Sequence, residues 1–312
     1  MTTSTGGLTL YDAARAMGVI FTTEASPTDR EMRVNGLRFH YLDWGNEDKP
    51  PMLLLHGRTL SAHSWDFTAL AFHDEFHVIA LDERGHGDSD WAPDGDYTAA
   101  AQFPDIEGFV DALKLDTVTL IGHSMGGRNS MVYASRHPER VRALVIVDMA
   151  PQTGGPDGPD FRGARQGPQD PEFRGALRRP PQEANSFEEY VQAIHALNPQ
   201  RTPEQLRGSL AHQVRQYPDG KWRLKWDPAL RSADTNGLGA EKLWDYFSLI
   251  RCPTMIVRGG ESGMVSDATV RRMKEYIPTM KSAVVAGAGH GVPGDKPAQF
   301  QKEVRQFLAT LT

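Results

Sequence analysis

The sequence predicts an α/β protein: a mostly parallel, doubly wound sheet of eight strands with an inserted, mainly helical segment. Three observations lead there. Short apolar runs rich in β-branched residues alternate with longer stretches of helical character. The runs at residues 51–55, 76–81, 117–121, 141–147 and 254–257 are almost continuously apolar, as strands covered on both faces must be. Most of them end in glycines and polar residues, and in such sheets ligands bind beyond the carboxyl ends of the strands.

A chain of 312 residues is long for one domain and short for two full ones, which suits one large domain carrying an insertion. Residues 1–29 read as an N-terminal arm, accessory to the fold. It holds a short helix over 8–17, with Thr9 as N-cap and Gly18 as terminator. Residues 31–34 and 37–43 flank Asn35-Gly36, a preferred two-residue hairpin turn, and supply an antiparallel edge. Helices are expected from about 61 to 72 and over 99–113. The core is assigned to 30–151 and 246–312. Between them, 151–181 is rich in proline, glycine and charge and reads as a loop. Ser186 and Glu189 then form a capping-box pattern, and Thr202-Pro203 opens a second helix. Residues 221–227 alternate basic and apolar, as a short strand does. The helix over 242–249 leads back into the strand–helix rhythm.

Composition limits the partners. The net charge of −6 argues against nucleic acid or an anionic membrane. No apolar window approaches the roughly 18 residues of a membrane helix. Residues 1–7 have no basic or long apolar region, so no secretory signal is expected. The single cysteine, Cys252, cannot form an internal disulfide, and the two observations together point to the cytoplasm. Cys252 precedes Pro253 at the head of a strand and reads as a small hydrophobe, not a reactive thiol.

The chemistry centres on Gly122-His123-Ser124-Met125-Gly126. An apolar strand pattern leads into this G-x-S-x-G sequence and a helical stretch, residues 125–136, follows it. That context makes it a nucleophile elbow, a strand-to-helix turn in which glycines leave room for strand and helix to cross. A serine hydroxyl needs a general base. His290 is the preferred base, because Gly287-Ala288-Gly289-His290-Gly291 follows a strand at 282–285 and lies downstream of the serine. His123 adjoins Ser124 but points away from its side of the turn. The base needs a carboxylate to fix its tautomer. Asp148, at the end of the 141–147 strand, is preferred; Glu261, in Arg258-Gly259-Gly260-Glu261-Ser262-Gly263, is the alternative acid. The backbone N–H groups of Met125 and Arg58 fit an oxyanion hole. The Arg58 guanidinium could bind a substrate carboxylate, but pairing with a surface acid is the simpler reading. His86, Asp88 and Ser89 read as loop architecture.

These residues resemble the α/β-hydrolase superfamily, over about 30–151 and 246–312. The His56-Gly57 loop, the Arg84-Gly85-His86-Gly87-Asp88-Ser89 turn, the elbow and the final Gly289-His290 carry the resemblance. It implies that residues 152–245 form a lid over the site. Most members place the acid after the strand at 254–257, where this chain has no aspartate; a minority use the earlier strand end, and Asp148 matches that position. Members that cleave carbon–halogen bonds or epoxides carry an aspartate where Ser124 stands and are set aside. The expected activity is hydrolysis of a small carboxylic ester or lactone through an acyl-enzyme, with C–C or amide hydrolysis by the same residues as the alternative. A ligand-binding pseudoenzyme on the same fold is the non-enzymatic rival. The expected partner is a small-molecule substrate, with no cofactor and no metal, and the sequence is compatible with a homo-oligomer.

Overall fold

The structure, a computed structural model, describes residues 8–153, 181–197, 202–231 and 238–311. The loop expected over 151–181 lies almost wholly outside the described residues. The central sheet has eight strands: β1 (Thr28–Val34), β2 (Leu37–Asp43), β3 (Pro51–Leu55), β4 (His77–Leu81), β5 (Val118–His123), β6 (Val141–Val147) and, late in the chain, β9 (Thr254–Gly259) and β10 (Lys281–Val285). Their spatial order is β1-β2-β4-β3-β5-β6-β9-β10. Only β2 runs against the rest, paired antiparallel to β1 and to β4, while every other pairing is parallel. The β1–β2 turn is tight because Asn35 and Gly36 both adopt positive φ, 50° and 84°.

Side chains alternate between two apolar layers. Leu53, Leu55, Leu120, Leu144 and Ile146 face a core completed by α3 (Ala99–Ala112), α4 (Met125–Arg136), α7 (Ala240–Ser248) and α8 (Asp267–Tyr276). Met52, Leu54, Ile121, Val145 and Val147 face the opposite layer, built on α1 (Leu10–Ala16), α2 (Asp66–Phe72), the short α9 (Val292–Asp295) and α10 (Pro297–Ala309). The central strands are therefore hydrophobic at nearly every position, and each such side chain contributes about 1.5–3 kcal/mol on burial. Among the described residues, no helix is long and apolar enough to cross a membrane.

The N-terminal arm is more than a flank. Thr9 caps α1 by accepting from the Asp12 N–H at 3.1 Å, and Ala14 and Val19 are buried in the second core layer. Within the insertion, α5 (Phe187–Leu197) and α6 (Pro203–Ala211) pack on each other, and β7 (Val214–Gln216) pairs antiparallel with β8 (Trp222–Leu224). β7 was not anticipated: three residues give too short an alternation to read. In the capping box, Ser186 accepts from the Glu189 N–H at 3.1 Å, but the Glu189 carboxylate returns to the N–H of Asn185, not to that of Ser186.

The insertion is anchored to the turn after β4. Asp88 pairs with Lys225 at 2.6 Å and with Arg215, Tyr97 donates to Asp227, and His86 and Trp226 form a backbone bridge. Buried Asp82, which opens that turn, accepts from His40 Nδ1 at 2.8 Å and from the N–H groups of Ala62 and Asp88 at 2.6 and 3.0 Å. Ser89 donates to the Asp82 carbonyl at 2.6 Å. Arg84-Gly85-His86-Gly87-Asp88-Ser89 thus holds the architecture, as its composition suggested. Cys252 is buried and burial pushes its thiol up to about 11, which suits a packed hydrophobe.

The tightest crossing lies where β5 meets α4. A Cβ on Gly126 would stand 2.3 Å from the Leu55 carbonyl oxygen, and one on Gly122 would stand 2.3 Å from that of Gly126. Both obstacles are backbone, which a side-chain shift cannot relieve. Gly126→Ala is expected to lower stability by about 2 kcal/mol or more. Urea denaturation would register this as a lower midpoint; a midpoint equal to the parent's would contradict the steric account.

Candidate active site

Ser124 occupies the turn between β5 and α4 with φ 51° and ψ −111°, a strained conformation for a residue with a side chain. The turn is fixed from both sides: Ser124 N–H donates to the Val147 carbonyl, and Gly126 N–H to that of His56, each at 3.0 Å. Oγ is thereby lifted above the sheet edge.

His290 reaches it from the loop after β10. Its Nε2 lies 3.0 Å from Ser124 Oγ, and its Nδ1 lies 2.7 Å from Asp148 Oδ2. A carboxylate only accepts, so Nδ1 carries the proton and Nε2 is left to accept from the serine hydroxyl. Asp148 follows β6 directly, is fully buried and also has positive φ, 48°. Its other hydrogen bonds come from Ser262 Oγ to Oδ2 at 2.5 Å and from the Gly259 N–H to Oδ1 at 3.3 Å. The carboxylate is thus satisfied on both oxygens inside the protein, which is what permits a buried charge. The structure brings Ser124, His290 and Asp148 into one hydrogen-bonded chain across 166 and 142 residues of sequence separation.

Glu261 is placed elsewhere. Its side chain is exposed and its N–H donates to the Ala288 carbonyl at 2.9 Å; its carboxylate makes no bond to His290. Met125 is the first residue of α4, so its N–H has no intrahelical acceptor. Arg58 is half-buried, immediately past Gly57 at the end of β3.

Two supporting residues escaped the sequence reading. Ser262 lies in the very stretch searched for an acid, and its role is to hold the acid supplied by another strand. His123, one residue before Ser124, passes behind the site: its Nε2 donates to the His290 backbone carbonyl at 2.8 Å, and the two rings lie 4.8 Å apart. Burial, then the neighbouring His290, holds its pKa down to about 3, so it is a neutral donor at ordinary pH. Gly57 makes this possible, because a Cβ there would stand 2.6 Å from His123 Nδ1. Gly259 plays the same part for the His290 loop, where a Cβ would meet the Gly289 carbonyl oxygen at 2.0 Å. The Gly-rich signature was visible in the sequence; the reason for it was not.

A sequence model of the alpha/beta hydrolase fold family matches residues 50–297, and the chain belongs to that family. It is 28% identical over 285 residues to esterase Rv0045c of Mycobacterium tuberculosis, covering 91% of each chain. The crystal structure of that esterase matches with a TM-score of 0.75 at 26% identity, covering 96% of both chains. The chain is also 29% identical over 264 residues to the 2-(acetamidomethylene)succinate hydrolase of Mesorhizobium japonicum, covering 83% of this chain and 88% of that one. A crystal structure of E-2-(acetamidomethylene)succinate hydrolase matches with a TM-score of 0.75 at 25% identity, covering 91% of this chain and 99% of that one. The esterase and hydrolase relatives support a hydrolase activity for this chain.

Beneath the elbow helix sits a second, buried polar group. Glu83 receives a hydrogen bond from Asn129 Nδ2, and Gln102 Oε1 accepts from Arg128 Nη2 at 2.7 Å and from Asn129 Nδ2 at 2.9 Å. Burial pushes the Glu83 carboxyl from 4.5 up to about 8, against the pull of Asn129 and the Arg128 charge. The folded protein therefore binds this proton more tightly than the unfolded chain. Its contribution is full below about pH 4.5 and is lost as pH rises toward 8. Glu83→Gln is expected to flatten that decline: urea midpoints of parent and variant should diverge in the variant's favour between pH 5 and 8. Parallel midpoints would contradict a protonated Glu83. Separately, Ser262→Ala should lower kcat on any turned-over substrate by about tenfold with little change in KM, since it loosens the carboxylate that orients His290.

Proposed function

We propose that the chain is a serine hydrolase that cleaves a small carboxylic ester or lactone through an acyl-enzyme. The observation that carries this reading is the chain Ser124 Oγ–His290 Nε2–Asp148 Oδ2, at 3.0 and 2.7 Å, with the serine presented on a strained elbow. In this reading Ser124 Oγ attacks the carbonyl carbon while its proton passes to His290 Nε2. Asp148 holds the Nδ1 proton and stabilises the imidazolium. The carbonyl oxygen becomes an oxyanion, facing the N–H groups of Met125 and Arg58. Collapse breaks the carbon–oxygen bond, and the proton on Nε2 moves to the departing alkoxide. A water then loses its proton to His290, attacks the acyl carbon and frees the acid, and the proton returns to Ser124 Oγ.

The ester or lactone class rests on this acyl-transfer geometry together with the esterase among the relatives. In the same reading residues 152–245 serve as a lid on the core formed by 30–151 and 246–312. The ion pairs of Asp88 with Lys225 and Arg215 hold the insertion to the turn after β4.

Hydrolysis of p-nitrophenyl butyrate and of a small lactone, followed across variants, tests the assignment. Ser124→Ala should abolish turnover and labelling by a fluorophosphonate. Asp148→Asn should lower kcat by about 10³- to 10⁴-fold, and Glu261→Gln by less than about twofold. Full turnover by Ser124→Ala would end the reading; a large loss in Glu261→Gln with little in Asp148→Asn would move the acid.

A further inference from the structure

His290 sits in Gly287-Ala288-Gly289-His290-Gly291, where glycine alternates with residues that carry side chains. Glycine places little limit on its own φ and ψ, so such a segment holds no single conformation by itself. Fixing the backbone of each residue costs about 1–2 kcal/mol, which partners outside the loop must offset. The base is only as well placed as the peptide groups on either side of it.

Each of those peptide groups meets a different part of the chain. Ahead of His290, the peptide joining Ala288 to Gly289 is held at both ends. Its carbonyl accepts from the Glu261 N–H at 2.9 Å, and its N–H donates to Asp295 Oδ2 at 2.9 Å. The next peptide, Gly289 to His290, lies against Gly259, where a Cβ would stand 2.0 Å from its oxygen. Behind His290, the peptide carbonyl accepts from His123 Nε2 at 2.8 Å. Glu261 acts here through its backbone alone. Asp295 acts through its side chain, and the acyl-transfer steps make no other use of it.

Asp295 is the last residue of α9, whose single turn is closed by the Gly294 and Asp295 N–H groups on the Gly291 carbonyl, each at 2.9 Å. The turn folds the half-buried Asp295 side chain back against the loop it follows. A Cβ built on Gly289 would stand 3.3 Å from Oδ2, and one on Gly291 would stand 3.5 Å from Oδ1. The two oxygens thus lie one against each neighbour of His290. A carboxylate at the C-terminal end of a helix is disfavoured by the partial charges there, so α9 itself gains nothing from this one. The loop does, because the Gly289 N–H finds its acceptor there.

We propose that Asp295 is a positioning residue for His290. By accepting from the Gly289 N–H it fixes the peptide ahead of the base, as His123 fixes the one behind, and together they set the approach of Nε2 to Ser124 Oγ. The proposal rests on the acyl-enzyme reading, in which His290 is the base. It assigns the role to the acceptor oxygen and not to the charge, and places the effect on kcat and not on KM.

The test follows p-nitrophenyl butyrate hydrolysis by the full chain. Asp295→Ala should lower kcat roughly 10- to 100-fold, with KM changed by less than about twofold. Asp295→Asn keeps an acceptor oxygen and should stay within about threefold of the parent. In the proton NMR spectrum, the low-field His290 Nδ1–H bonded to Asp148 should persist in Asp295→Asn and broaden by exchange with water in Asp295→Ala. A general loss of stability would not separate the two variants in this way. One measurement needs no variant: in the parent, the Gly289 amide should exchange with deuterium at least about tenfold more slowly than that of exposed Gly287. Parental kcat in Asp295→Ala, a loss confined to KM, an Asp295→Asn as slow as Asp295→Ala, or a Gly289 amide that exchanges as fast as that of Gly287 each overturns the proposal. A parent that turns over neither ester nor lactone is a different result. It ends the acyl-enzyme reading, and the proposal falls with it.

Discussion

The crossing of β5 over α4 at Ser124 is the constraint on which the site depends. The strand before the serine and the helix after it approach so closely that Gly122 and Gly126 each face backbone where a Cβ would stand. The strain at φ 51° is held by the hydrogen bonds to the carbonyls of Val147 and His56, which belong to β6 and to the end of β3, the two strands beside β5. The central strands thus set the position of Oγ before any other part of the site is considered.

The second requirement is that a histidine from the far end of the chain arrive at that oxygen with the right nitrogen forward. Four features of the fold answer it. Asp148 accepts a hydrogen bond from Nδ1–H, Ser262 and the Gly259 N–H hold Asp148, and His123 grips the carbonyl of His290 from behind. Gly57 and Gly259 leave the room for these approaches. His290 is therefore located through its ring and through its backbone at once. Its side chain remains 40% exposed while Asp148 is at 1%, so the base meets solvent and its carboxylate does not.

Two buried carboxylates lie at the end of β4, beside the same edge. Asp82 ties β2, the turn after β4 and the segment before α2 together through satisfied hydrogen bonds. Glu83, one residue further, lies in an apolar enough setting to favour its neutral form. Adjacent carboxylates thus sit in opposite protonation regimes, because Asp82 faces His40 and two N–H groups whereas Glu83 has chiefly Asn129.

Four features were legible in the residues alone: continuous apolar runs, glycines at the crossing, a serine in the elbow and a histidine in the last glycine-rich loop. These are local signals, because burial on both faces and steric exclusion act on neighbours in the chain. The hairpin at Asn35-Gly36, the elbow helix and the 141–147 strand were legible for the same reason. The tertiary structure alone decided between Asp148 and Glu261 as the carboxylate beside His290, since that depends on which strand end lies under the imidazole. It also supplied Ser262 and the clamp from His123. Each of these is a contact between segments far apart in sequence, set by how β6, β9 and β10 lie side by side, and no local pattern of residues encodes that placement.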